Sequence, residues 1–206
     1  MHEALQTQTL RGVAAPILID NLDTDQIMPK QFLRIITKQG LDRGVLFDLR
    51  FHPDGSERKD FILNQDGFRA AKFIIGGPNF GCGSSREHAV WGLQQLGIEA
   101  VIAPSFGEIF FGNALNNRLL LIVLPQEHID ALLQDLAAGH HELEIDLHTC
   151  AVRSATRDFR FPLAERHRKM IVDGLDMVGA TLQMLPAITE FEQAHRARHP
   201  WADVLA

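Results

Sequence analysis

Between residues 73 and 139 the apolar and polar positions fall into a repeating strand–helix rhythm. Phe73-Ile74-Ile75 is a continuous apolar run bounded by Gly76 and Gly77, as expected of a strand buried on both faces. Ala89, Leu93 and Leu96 then recur at helical spacing, and Gly97 stops the pattern. A second strand spans Ala100 to Ala103 and is closed by Pro104. Ile109, Phe110 and Ala114 mark the apolar face of a second helix, ended by Asn116-Asn117. Leu119 to Leu124 reads as a third strand, and Glu127 to Ala138 as an amphipathic helix ending at Gly139. The alternation predicts an α/β fold with a largely parallel core.

Outside this stretch the periodicity is weaker. Leu10 to Ile19 alternates loosely, and the Val/Ile-rich end predicts a strand over Pro16 to Ile19. A short helix is expected from Gln31 to Lys38, and an extended piece or strand at Phe61 to Leu63. Glu142 to Val152 and Phe159 to Phe161 alternate like strands, and helices follow from Leu163. The last of these, Thr189 to His199, carries charges on most faces and is expected to be peripheral. With no internal repeat, the expectation is one domain over residues 1–206 with a helical extension at about 163–206.

The chemistry concentrates in the turn Gly76-Gly77-Pro78-Asn79-Phe80-Gly81-Cys82-Gly83-Ser84-Ser85-Arg86-Glu87-His88. Ser84 and Glu87 have the spacing of a capping box, and Ser105 with Glu108 repeats it one strand later. Arg86 is expected in the first helical turn, where the macrodipole disfavours a cation by roughly 0.3–1 kcal/mol. Arginine suits that place when an anion bridges its guanidinium and the free helix amides, which predicts a pocket for a small carboxylate or phosphate. A second polar turn runs from Asp20 to Pro29. Its spacing does not fit a calcium loop: counted from Asn21, Gln26 stands where glycine is needed and Phe32 where the bidentate glutamate belongs. It reads as an Asx-rich turn capping the next element, or as one in which Thr24 or Asp25 faces a site.

Other chemistries fit less well. A dinucleotide fingerprint would need glycine at Arg86, and no acid for a ribose follows the next strand, which ends in Pro104-Ser105. No Walker Gly-Lys-Ser/Thr is present, and the ten histidines show no zinc spacing, so no metal site is assigned. Cys82 beside a helix N-terminus and near His88 stays open as a nucleophile. A net charge of −6 argues against nucleic-acid binding through a general basic field. No apolar run approaches the ~20 residues of a membrane span. Two cysteines make neither a disulfide scaffold nor the usual ligand set of an iron–sulfur cluster, and they favour a cytoplasmic location.

Four segments carry a resemblance: Asp23-Thr24-Asp25-Gln26-Ile27-Met28-Pro29-Lys30-Gln31-Phe32, Asn79 through His88, Ala103-Pro104-Ser105-Phe106, and Asp173-Gly174-Leu175-Asp176. In order and spacing they resemble the small subunits of bacterial 3-isopropylmalate dehydratase, counterparts of the swivelling fourth domain of aconitase. The resemblance implies a three-layer β/β/α domain that closes over a [4Fe–4S] cluster held by a large subunit in a heterodimer. It implies interconversion of 2- and 3-isopropylmalate in leucine biosynthesis. It implies that Ser84 is the base, that Ser85 and Arg86 bind a substrate carboxylate, and that Thr24 and Asp25 line the site. It further implies that a segment at about 28–50, with Met28, Leu33 and Arg34, reads the substrate side chain. Val90 and Ala180 stand where relatives often carry proline and leucine. A related hydro-lyase acting on citramalate, homocitrate or another malate-like acid, or a stand-alone anion-binding module, are the alternatives. The substrate segment is expected to be mobile in the isolated chain.

Overall fold

The computed structural model describes residues 8–34 and 39–202. Seven strands form one sheet in the order β4-β3-β2-β1-β5-β6-β7. They are β1 (Thr9–Ile17), β2 (Phe73–Gly76), β3 (Ala100–Ala103), β4 (Leu120–Val123), β5 (Glu142–Asp146), β6 (Ala151–Arg153) and β7 (Asp158–Arg160). The β1 strand is the seam. It pairs in parallel with β2, in register Ala14–Phe73 to Ile17–Gly76, and antiparallel with β5. The β2–β3–β4 half is parallel throughout and the β5–β6–β7 half antiparallel.

Two core layers explain why the parallel strands are apolar without interruption. Side chains alternate between faces along a strand. Ile74 and Val101 join the layer under α3 (Glu87–Gln95) and α4 (Glu108–Asn116). Phe73, Ile75, Ala100 and Ile102 join the opposite layer, with α5 (Gln126–Ala137), the inward residues of β5 and β6, and Ile171 of α6 (Glu165–Val172). With both faces covered, neither can be polar. The connection from β1 to β2 holds α1 (Thr24–Ile27) and α2 (Phe47–Arg50), and the chain ends in α7 (Met177–Leu182) and α8 (Leu185–Arg198). No described helix is long and apolar enough to cross a membrane.

Several local expectations change. The first strand covers Thr9–Ile17 rather than Pro16 to Ile19, because pairing with β5 begins at Thr9; Leu18 beyond it is exposed. Ile62–Asn64 is a single 3₁₀ turn, not a strand. Lys30–Phe32 is likewise a 3₁₀ turn, and the rest of the helix expected over Gln31 to Lys38 runs into residues 35–38, outside those described. Ile109 faces outward while Phe110 and Ala114 are buried. Neither capping box forms. The α3 helix starts at Glu87 with Arg86 as its N-cap, and α4 starts at Glu108 with Gly107 as its N-cap. The Asx-rich turn behaves as expected, Asp23 capping α1 through the Gln26 N–H at 2.7 Å.

Candidate active site

Three loops leave the carboxyl ends of β1, β2 and β3, where parallel α/β sheets present their ligand crevices. Backbone bonds splice the first two: the Asn21 N–H donates to Pro78 O at 3.0 Å, Gly81 N–H to Leu22 O at 2.7 Å, and Thr24 N–H to Cys82 O at 2.9 Å. Asn21 and Asn79 both adopt left-handed backbone, at φ 53° and 57°, which asparagine tolerates better than most residues. Asn79 Nδ2 donates to Asn21 Oδ1 at 2.8 Å.

The third loop closes tightly on the second. Phe80 N–H donates to Ser105 O at 3.1 Å and Gly107 N–H to Phe80 O at 2.9 Å. A Cβ on Gly107 would lie 2.6 Å from Gly81 O and 2.8 Å from Cys82 Cα, so glycine there is a condition of the approach. Ser105, expected to cap α4, instead accepts from the Asn79 N–H at 2.8 Å. Phe80 locks the arrangement from beneath. It is fully buried and edge-on to Phe106 and Phe110, with ring centroids 6.2 and 5.7 Å away.

On this base the structure brings together Thr24, Asp25, Ser84 and Arg86. The buried Thr24 hydroxyl donates to Ser84 O at 2.9 Å, fixing the serine loop to the start of α1. Arg86 ion-pairs with Asp25 and donates from Nη1 to Met28 O at 3.4 Å. Its side chain is only 11% exposed, so the guanidinium is held in one orientation, with Nε and Nη2 uncommitted among the described residues. Ser84 and Ser85 are both exposed, and their hydroxyls meet no described partner. The arrangement can present two hydroxyls and a fixed guanidinium edge to a small anion.

Met28 contributes only its carbonyl. Its side chain is fully buried over Gly92 and Val45, against the expectation that it reads substrate directly. Leu33 is half-buried and Arg34 exposed, and no described contact ties either to the serine loop. Farther along, Arg50 Nη1 donates to Asp42 O and Val45 O, both at 3.2 Å, and buried Asn64 donates to Arg50 O at 2.6 Å. Burial pulls the Arg50 guanidinium below its usual range. Cys82 Sγ lies 3.3 Å from Asn21 O and Cys150 Sγ 3.6 Å from Leu147 O.

Sequence reasoning did not foresee Asn117. It is buried at the end of α4 and binds Glu87, Trp91 and Gln94 of α3. Its only sequence signal was the helix-stopping Asn116-Asn117 pair, which says nothing about a partner.

Residues 5–127 match the Aconitase C-terminal domain family, and residues 177–204 match the family of the C-terminal domain of the 3-isopropylmalate dehydratase small subunit. The chain is 52% identical to a 3-isopropylmalate dehydratase small subunit 1 of Chromobacterium violaceum, over 96% of this chain and 93% of that one. It is 46% identical to a small subunit 2 of Salmonella typhimurium, over 93% of each. Among solved structures, 3-isopropylmalate dehydratase from Methanocaldococcus jannaschii superposes with a TM-score of 0.64 at 26% identity, covering 88% of this chain and 99% of that one. Shared sequence over nearly the full length and a shared fold lead to one conclusion: the chain belongs to the family of 3-isopropylmalate dehydratase small subunits, within the aconitase C-terminal domain family.

Proposed function

We propose that this chain, joined to a cluster-bearing large subunit, interconverts 2-isopropylmalate and 3-isopropylmalate by removing water and adding it back, a step of leucine biosynthesis. The observation that carries the reading is the convergence of exposed Ser84 with Thr24, Asp25 and Arg86 at the strand ends, in a chain with small-subunit relatives of this identity. The Ser84 oxygen, as alkoxide, takes the proton from the substrate carbon. The C–H electron pair becomes the new C=C bond, and the hydroxyl leaves the neighbouring carbon with its own pair. Rehydration in the opposite sense, with the proton returned from Ser84, yields the isomer. An alkoxide needs positive potential around it, which Arg86 and the α3 N-terminus supply.

Arg86 then holds a substrate carboxylate through Nε and Nη2 with help from Ser85, while Asp25 and Met28 O keep the guanidinium aimed. Because the Met28 side chain is built into the core, reading of the isopropyl group falls to the residues after it, Leu33 and Arg34 among them.

The thiols of this chain do not fit a cluster. Each faces a backbone carbonyl, and no group of three or more His, Cys, Asp or Glu among the described residues is placed to hold a metal. The reading therefore assigns the [4Fe–4S] cluster to the large subunit, where it would supply Lewis-acid activation of the leaving hydroxyl. Two free thiols accord with a reducing cytoplasm.

Anaerobic reconstitution with the large subunit tests this, following the unsaturated intermediate formed from 3-isopropylmalate. Turnover requiring both chains, and falling about 10²–10⁴-fold in Ser84→Ala, is the expected result. A complex silent on isopropylmalate but active on citramalate or homocitrate would point to a related hydro-lyase. Tight carboxylate binding with no complex would leave a stand-alone anion-binding module.

A further inference from the structure

The motif Ser84-x-x-Glu87 has a competing use that would be incompatible with catalysis. In a capping box the Ser84 hydroxyl would accept the Glu87 N–H, and the Glu87 carboxylate would reach back to the Ser84 N–H. The serine oxygen would then be a structural acceptor. In the structure the helix begins at Glu87 itself, with Arg86 as its N-cap, and the Glu87 carboxylate is bound away from Ser84.

It is taken by Asn117. The Asn117 Nδ2 donates to Glu87 Oε1 at 2.5 Å and to Asn113 O at 2.9 Å. Its Oδ1 accepts the Trp91 Nε1–H at 2.8 Å, and its carbonyl accepts Gln94 Nε2 at 2.6 Å. Glu87, Trp91 and Gln94 are spaced i, i+4 and i+7 on one face of α3, so the single residue that caps the end of α4 meets all three. Asn117 is only 6% exposed, and a buried amide with both ends satisfied is rigidly placed.

We infer that Asn117 is a positioning residue for Ser84. By holding Glu87 in the first turn of α3 it keeps the helix from extending back to Ser84 and closing the capping box, leaving the serine hydroxyl available. This rests on the assignment of Ser84 as base, and the experiment separates the two.

The test is a mutant cycle in the reconstituted two-subunit enzyme, with complex formation checked by sedimentation. Asn117→Ala frees Glu87 to close on Ser84, and kcat falls about tenfold or more. Glu87→Ala alone removes the competitor and leaves kcat within about threefold of the parent. The double variant regains kcat to within about threefold of Glu87→Ala. A merely structural Asn117 would leave the double variant as slow as Asn117→Ala or slower, and that result overturns the inference. If Asn117→Ala does not fold, Trp91→Phe replaces it: removing one anchor of Asn117 gives a smaller kcat loss, again relieved by Glu87→Ala. Absence of relief counts against the inference in that background too. Full turnover by Ser84→Ala would instead remove the base assignment itself.

Discussion

Gly81→Ala is the substitution whose cost is most directly fixed by the geometry. Gly81 has φ +74°, a conformation costing an L-residue about 1–2 kcal/mol. A Cβ there would lie 2.3 Å from Phe110 Cγ and 2.6 Å from its Cδ1. Phe110 is 1% exposed and stacked edge-on against Phe80, so its ring has no solvent-filled space to enter. Overpacking of this kind costs about 1–3 kcal/mol. Together the terms give about 2–5 kcal/mol, a large share of the about 5–15 kcal/mol that stabilises a typical domain. At about 2–4 °C per kcal/mol for a chain of this size, Tm should fall by about 4–20 °C. Gly55 supplies the control: φ is +83° and nothing lies within 4 Å of its virtual Cβ, so Gly55→Ala carries only the backbone cost of about 1–2 kcal/mol. Urea denaturation of both isolated variants, followed by far-UV circular dichroism, gives the difference between them as the packing contribution. Equal destabilisation of the two variants would refute the claim that the Phe110 ring leaves no room for a Cβ at Gly81.

Arg86→Lys keeps the charge but loses the planar fork, and should raise KM for isopropylmalate about tenfold or more in the reconstituted enzyme; an unchanged KM would count against carboxylate binding there. Asp146 accepts from the Thr149 hydroxyl at 2.7 Å and from the His148 and Thr149 N–H groups, chiefly the former holding its carboxyl down at about 2. Its folded pKa lies below the unfolded value of 3.8, so its stabilisation is full above about pH 5 and is lost as pH falls toward 2. Asp146→Asn should therefore be clearly less stable than the parent at pH 6, with the gap narrowing by pH 3; a gap that does not narrow would contradict this assignment. Deleting residues 184–206 should shift the Tm of the isolated chain by no more than about 4 °C, because α8 has no buried residue. A larger loss would show that the helix supports the core.

Reading the chain from its sequence succeeded where the signal was local. Phe73-Ile74-Ile75 and Ala100 to Ala103 are apolar without a break because both faces of those strands are covered, and Leu119 to Leu124 follows the same pattern apart from the exposed Val123. The glycine-rich turn and the Asx-rich turn around Asp23 were equally local, and they marked the candidate site; Arg86, expected in the first helical turn, is instead the N-cap of α3. Pairing was not visible. The register of β1 against β5 set where the first strand begins, and it depends on residues more than a hundred positions apart. Arg86 stood out as a cation expected where the helix macrodipole disfavours one, but only the spliced loops show that Asp25 faces it. The two capping boxes are absent in the fold, where the helices start at Glu87 and Glu108 with Arg86 and Gly107 as N-caps, and distant groups hold two of the side chains. Asn117 takes Glu87, and the Asn79 N–H takes Ser105. Met28 sits inside a segment that carries the resemblance, yet its side chain fills space over Gly92 that only helix packing creates. Sequence alone determined which stretches are buried and where candidate polar residues cluster, since those follow from each residue's own polarity and spacing. The tertiary structure decided which polar groups are free to react, since a hydrogen-bond donor or acceptor is claimed by whatever the fold brings nearest.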